Sequence, residues 1–193
     1  MARWFRTALP ARITSVRLAP YAVPVRTVEL LPDDATEARV RRVWGRLAER
    51  GMPSLAAHRH VTNRPHLTLT TASELPWDVR PALTEALSVL PLPLRLEGTL
   101  RFEGRTSFLA WRVAADAGLA ALQRRVWELL PLAGNPLFEP ENWVPHLSLG
   151  RTRSGPGAWP AELLPAELSE PWEGRFTAAR SYDTGSRTVE RLT

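Results

Sequence analysis

The sequence predicts a duplicated α+β fold, and three observations carry that reading. The phrase PHLTLT beginning at Pro65 returns as PHLSLG at Pro145, 80 positions later. Around each copy the same order of patterns recurs: strand, amphipathic helix, loop, histidine-bearing strand, helix, strand. Only the tight junction Glu103–Thr106 separates the copies, so the halves, about 25–104 and 105–193, are expected to fold face to face around one core. A chain of 193 residues, 44% of them hydrophobic, is long enough to fill one such domain.

VRTVELL (Val25–Leu31) reads as a strand. Asp33 or Asp34 then caps a helix whose apolar positions Val40, Val43, Trp44 and Leu47 follow helical spacing and stop at Gly51. The loop MPSLAAHRHVTNRP leads into the short strand HLTLT. Pro76 opens a second helix with Val79, Leu83, Ala86, Leu87 and Leu90 on one face, and the strand LRLEGTLRF (Leu94–Phe102) follows. In the second half SFLAWRV (Ser107–Val113) is a strand. Asp116 caps a helix burying Leu119, Leu122, Val126, Leu129 and Leu130, and the loop AGNPLFEPENWVP precedes the strand HLSLG. A Pro- and Gly-rich stretch from Arg151 to Leu168 holds one short helix at most. WEGRFTAAR and RTVERL then form a hairpin with its turn at Asp183–Gly185–Ser186.

Charge adds little. The net +5 resides in residues 1–28, where Arg3, Arg6, Arg12, Arg17 and Arg26 meet no acid. The remaining 20 basic residues balance the 20 acidic ones. Every basic residue is arginine, which with the abundant Ala and Pro points to GC-rich coding rather than to phosphate contacts. A bulk-charge case for nucleic acid is therefore weak. Residues 1–24 lack the apolar run of a secretory signal; Pro10, Pro20 and Pro24 break any helix there, and a poorly ordered basic extension is expected. There is no cysteine, which removes disulfides and thiolate metal sites. No apolar run approaches the roughly 20 residues of a membrane span. A soluble, cytoplasmic monomer without membrane partners is the expectation.

Two of the four histidines stand in the repeated phrase. Side chains two apart on a strand share a face about 6.6 Å from each other. His66, Thr68 and Thr70 are thus expected on one face with Leu67 and Leu69 on the other, and His146 and Ser148 opposite Leu147 and Leu149. With the leucines buried under helices, approximate two-fold symmetry brings two imidazoles and two hydroxyls into one cleft. Imidazole serves as acid or base near neutrality. Opening a phosphodiester with water needs a base on the incoming oxygen and an acid on the departing one. Hydroxyls can hold the non-bridging oxygens, and the scheme requires no metal or other cofactor.

The motifs His66-Leu67-Thr68-Leu69 and His146-Leu147-Ser148-Leu149 resemble the paired H-x-[ST]-x signatures of the two-histidine phosphoesterases. FEPENWVPHLSLGR (Phe138–Arg151) is similar to the corresponding stretch of the bacterial 2'-5' RNA ligase / RNA 2',3'-cyclic phosphodiesterase group, and the likeness runs from about Val25 to Leu192. It implies a bilobal fold of two antiparallel-rich sheets lining a central cleft, helices outside. It also implies metal-independent hydrolysis of cyclic phosphates or 2',5'-linked phosphodiesters, with 2'-5' ligation as the slow reversal of the latter in some members. By position, the resemblance makes His66 and His146 the catalytic acid–base pair and Thr68 and Ser148 the phosphate holders. Arg151, and more weakly Arg64, are candidate phosphate ligands.

The partner implied is an RNA end or a nucleotide bearing a cyclic phosphate. A small nucleotide such as ADP-ribose 1'',2''-cyclic phosphate is the alternative the neutral body keeps open, and a non-catalytic RNA-end or nucleotide-binding module is a third. His58 and His60 beside His66 suggest a metal cluster only superficially, since no acid lies between Met52 and Ser73. Trp44 and Trp127 read as core. Trp143 either packs beneath the cleft or stacks on a base. Arg151 with Arg153 reads equally as an ordinary solvated pair.

Overall fold

The computed structural model describes residues 15–17, 25–130 and 135–193. The expected disorder of residues 1–24 therefore falls outside the described residues, apart from a short strand β1 (Ser15–Arg17). β2 (Arg26–Pro32) runs into α1 (Asp34–Glu49). Asp33 is the cap: its Oδ1 accepts the Thr36 amide at 2.7 Å, and its Oδ2 accepts the Arg175 amide at 2.6 Å. One carboxylate thus satisfies an orphan helix donor and ties the helix start to a strand far along the chain. α1 buries Val40, Val43, Trp44 and Leu47, the stripe its spacing predicts.

β3 (Leu67–Ala72) follows the first loop. α2 (Arg80–Leu87) begins at Arg80 rather than at Pro76, because a 3₁₀ turn, Trp77–Val79, intervenes and Pro81 occupies its first turn. β4 (Leu92–Glu103), β5 (Ser107–Val113), α3 (Ala117–Leu129) and β6 (His146–Thr152) come next, with Asp116 capping α3 through the Leu119 amide at 2.8 Å. The repeat then breaks. No α-helix separates β6 from β7 (Trp172–Asp183); three 3₁₀ turns, Pro156–Ala158, Ala161–Leu163 and Ala166–Ser169, fill the gap. Pro156, Pro160 and Pro165 each remove an amide and clash with a preceding turn, so a continuous helix cannot propagate. β8 (Val189–Arg191) closes the hairpin on β7.

The strands form one hydrogen-bonded sheet in the order β3-β2-β7-β4-β5-β6, with β8 beside β7 and β1 parallel to the end of β4. The two antiparallel sheets expected of a bilobal α+β fold are the wings of this sheet, joined where β4 passes from β7 to β5. Leu92–Leu96 pair with β7 and Thr99–Phe102 with β5, and the register shift between them holds Gly98 at φ 65. That left-handed conformation is strained for a residue with a Cβ.

Each repeat lends its last long strand to the other: β7 completes the wing of β2 and β3, while β4 completes the wing of β5 and β6. The helices cross over as well. α1 packs on β6 and β7, and α3 on β3. One hydrophobic cluster accordingly spans both repeats, from Val28, Leu67 and Leu69 to Trp111, Leu147 and Leu149. The shared core is as expected. Each of these buried large side chains contributes about 1.5–3 kcal/mol. The outcome for function is that β3 and β6, the two histidine strands, are the two ends of the sheet, and they approach each other across the cleft. Among the described residues no helix is long and apolar enough to cross a membrane.

Candidate active site

Both histidine strands carry the same irregularity. Thr68 lies opposite Glu29 and Thr70 opposite Val28, leaving Leu69 as an extra residue; Ser148 lies opposite Ala110 and Gly150 opposite Leu109, leaving Leu149 extra. Beyond such a bulge the alternation inverts. The expectation that Thr70 shares the His66–Thr68 face is therefore corrected: Thr70 lies opposite core Val28, and Thr71, opposite Thr27, continues the cleft face. In the second copy the bulge turns Gly150 towards the core, where a Cβ would collide with the Pro53 carbonyl oxygen. It brings Arg151, opposite Phe108, onto the side of Ser148.

The two rings are held alike. His66 Nδ1 lies 2.7 Å from the Arg64 carbonyl, and His146 Nδ1 lies 2.7 Å from the Val144 carbonyl. A carbonyl only accepts, so each Nδ1 carries the hydrogen and each Nε2 is left for a substrate. The prolines of the repeated phrase explain the geometry. Pro65 and Pro145 have fixed φ and force the residue before them into extended backbone, which aims its carbonyl at the ring two positions on.

Because β3 and β6 are edges, their outward carbonyls need partners. Trp143 Nε1 donates to the Thr68 carbonyl at 3.0 Å, and Trp44 Nε1 donates to the Ser148 carbonyl at 3.1 Å. Gln123 Nε2 donates to the Leu69 carbonyl at 3.3 Å and to the Phe138 carbonyl at 2.8 Å. Trp143 is thus a clasp packed against the core, and each motif's hydroxyl residue is pinned by a tryptophan of the other repeat.

The wings differ in what lies beside the hydroxyls. Next to Thr68 stand Glu29 and then, across β7, Arg180; at the matching places next to Ser148 stand Ala110 and Leu100. Glu29 is 2% exposed. Its Oε2 accepts Arg180 Nε at 2.7 Å, and its Oε1 accepts the Thr27 hydroxyl at 2.7 Å and lies 3.6 Å from His66 Nε2. Burial alone raises this carboxyl, but His66, Arg180 and the Thr27 hydroxyl outweigh it and hold Glu29 below the usual range. Arg180 also donates from NH1 to the Thr62 carbonyl at 3.0 Å, fastening the loop before His66. On the other wing Leu100, Phe102 and Ala110 cluster with Phe108 and Val144, and the Phe102 ring lies 4.5 Å from the His146 ring. Burial lowers the His146 pKa, and the neighbouring charge of His66 lowers it further.

The structure thus brings His66, Thr68, His146, Ser148 and Arg151 to the cleft side. Arg64 is committed elsewhere, its Nε donating to Glu37 at 3.0 Å. His60 Nδ1 contacts the Thr62 hydroxyl at 2.7 Å. The His58 pKa is lowered by partial burial and then by the charges of Arg151, His60 and Arg187. Among the described residues no group of His, Cys, Asp and Glu side chains could hold a metal ion. Sequence reasoning missed Glu29 and Arg180. The available signal was Glu29, two positions from Thr27 and flanked by the apolar Val28, Leu30 and Leu31.

A continuous sheet whose two edge strands carry paired histidine–hydroxyl motifs into one cleft defines a two-histidine phosphoesterase. The family model of the 2'-5' RNA ligase superfamily matches residues 32–184, and the chain belongs to that superfamily of enzymes. Solved structures agree on the fold. TT0787 of Thermus thermophilus superposes with a TM-score of 0.56 at 20% identity, covering 89% of this chain and 96% of that one. Kluyveromyces marxianus Usb1 gives 0.54 at 15% identity, covering 87% and 97%. The same yeast protein with uridine monophosphate gives 0.51 at 14%, with coverage of 87% and 97%. Among curated protein sequences none matches the chain.

Proposed function

We propose that this enzyme hydrolyses a 2',3'-cyclic phosphate, at an RNA end or on a nucleotide, to a phosphomonoester without a metal. One observation carries the reading: two histidines on facing edge strands, each with Nδ1 held by a carbonyl and with no hydrogen-bond partner on Nε2 among the described residues. A water oxygen bonds to phosphorus while one Nε2 takes its proton. The ribose oxygen leaves as the other Nε2 supplies a proton, and exchange with solvent restores both rings. Thr68 and Ser148 hydroxyls donate to the non-bridging oxygens, and Arg151 at the rim stabilises their charge. With a 5'-hydroxyl in place of water, the same steps form a P–O5' bond as the P–O3' bond breaks, which joins a 2',5' linkage.

The family membership supports an RNA-related phosphodiester substrate, and the neutral body favours a short one. The reading places the enzyme in the cytoplasm as a monomer. 31P NMR of the protein with 2',3'-cyclic nucleotides and a cyclic-phosphate-ended RNA tests it. Conversion to a monoester in the presence of EDTA is expected, with His66→Ala and His146→Ala each slowing it by about 10²–10⁴-fold while leaving the melt intact. Turnover that survives either substitution overturns the assignment.

A further inference from the structure

The two wings present near-identical backbones with different chemistry beneath them. At the place where Glu29 sits beside Thr68, Ala110 sits beside Ser148; where Arg180 follows Glu29, Leu100 follows Ala110. The symmetric scaffold therefore holds two histidines in unlike surroundings. From this we infer that Glu29 is a positioning residue that assigns the two roles, making His66 the proton donor to the leaving oxygen and His146 the proton acceptor from water. The inference rests on the phosphodiesterase reading and deepens it.

The geometry supports the assignment from both sides. The Glu29 carboxylate is locked by Thr27 and Arg180, and its Oε1 stands 3.6 Å from His66 Nε2. That distance is too long for a hydrogen bond, so the Nε2 proton is not consumed by the carboxylate. It is short enough for the negative charge to stabilise an imidazolium. Among the described residues, Glu29 on β2 faces His66, Arg180 on β7 pairs with Glu29, His146 on β6 is near enough to feel the His66 charge, and the Arg64 guanidinium is turned to Glu37. Arg180 offsets part of the carboxylate's effect, yet it contacts the far oxygen, Oε2, and leaves Oε1 nearer the ring. Among the described residues His146 has no such partner. It lies against Phe102 in an apolar cluster, and burial disfavours its charged form. A neutral imidazole with a bare Nε2 is a base; an imidazolium held by a carboxylate is an acid.

In the step itself, His146 Nε2 takes the proton of water as the new P–O bond forms. His66 Nε2 hands its proton to the ribose oxygen as the old P–O bond breaks. No other reactant is needed. An acid is dispensable when the leaving group departs unprotonated, whereas a base is not.

The test compares two substrates on the intact protein: a 2',3'-cyclic nucleotide and an aryl phosphodiester whose p-nitrophenolate leaves without a proton. On the cyclic substrate Glu29→Gln should lose about tenfold or more and His66→Ala about 10²–10⁴-fold, while both stay within about threefold on the aryl ester. His146→Ala should lose both, and Glu29→Asp, which keeps the charge, should recover part of the cyclic activity. An equal loss on both substrates in Glu29→Gln, or aryl-ester rescue of His146→Ala instead of His66→Ala, overturns the inference. Failure of the unsubstituted enzyme on both substrates overturns the phosphodiesterase reading instead. Should Glu29→Gln fail to fold, the double variant Glu29→Leu with Arg180→Met takes its place on the same two substrates: a loss confined to the cyclic one is expected, and an equal loss on both refutes the assignment.

Discussion

Replacing Arg180 by methionine isolates the buried pair beneath the cleft. Arg180 is 7% exposed and Glu29 2%, so neither charge is rescued by water when the other is removed. Arg180→Met deletes the 2.7 Å bond to Glu29 and the 3.0 Å bond to the Thr62 carbonyl. Methionine fills much of the stem volume, so the main cost is the stranded carboxylate. Breaking a buried pair from one side costs about 3–5 kcal/mol. The Thr27 hydroxyl and the His66 ring soften this, which puts the expected loss at about 3 kcal/mol. At about 2–4 °C per kcal/mol for a chain of this size, the melting temperature should fall by roughly 6–12 °C. Urea titrations followed by tryptophan fluorescence measure it directly. The double variant Arg180→Met with Glu29→Leu removes both charges and should recover most of the loss. A single variant costing under about 1 kcal/mol, or a double variant as unstable as the two singles summed, would refute the picture of one buried, mutually dependent pair.

Other perturbations follow from the same geometry. Trp44→Phe and Trp143→Phe each strip an indole donor from an edge carbonyl and should cost about 1–3 kcal/mol by urea unfolding, with lower turnover because Thr68 and Ser148 lose their clasp. Since burial lowers His146, its share of stability is fully present above the unfolded value of about 6.5 and is lost as pH falls through the folded one; His146→Asn should flatten that acid loss in a pH series of melts. Gly150→Ala drives a Cβ towards the Pro53 carbonyl and should destabilise by about 1–3 kcal/mol, whereas alanine at Gly157, with open space around its Cβ position, should change the melt little.

Much of the fold is legible in the sequence because local chemistry agrees with the final structure. Asp33 and Asp116 mark the helix starts, apolar spacing in α1 and α3 names the buried stripe, and the repeated Pro-His phrase marks both edge strands. The misreadings are equally instructive. A period-two pattern cannot announce a bulge, so it puts Thr70 on the wrong face and gives Arg151 no face at all. The one short helix allowed between Arg151 and Leu168 gives way to three 3₁₀ turns, each opened at or just after a proline. Glu29 and Arg180 look like surface charges because their pairing joins strands that lie 151 positions apart in sequence. The exchange of last strands is hidden for the same reason: it is a decision between partners, made by the whole core.

That exchange has a consequence for how the enzyme comes into being. β7 occupies the middle of the sheet, between the first long strand made and the strand that ends the first repeat. A nascent chain halted before Trp172 already contains both imidazoles, both hydroxyls and Glu29, yet the two wings have nothing to join them edge to edge. Catalytic competence therefore arrives late and all at once during synthesis, and truncation of the tail should be as damaging as loss of a histidine.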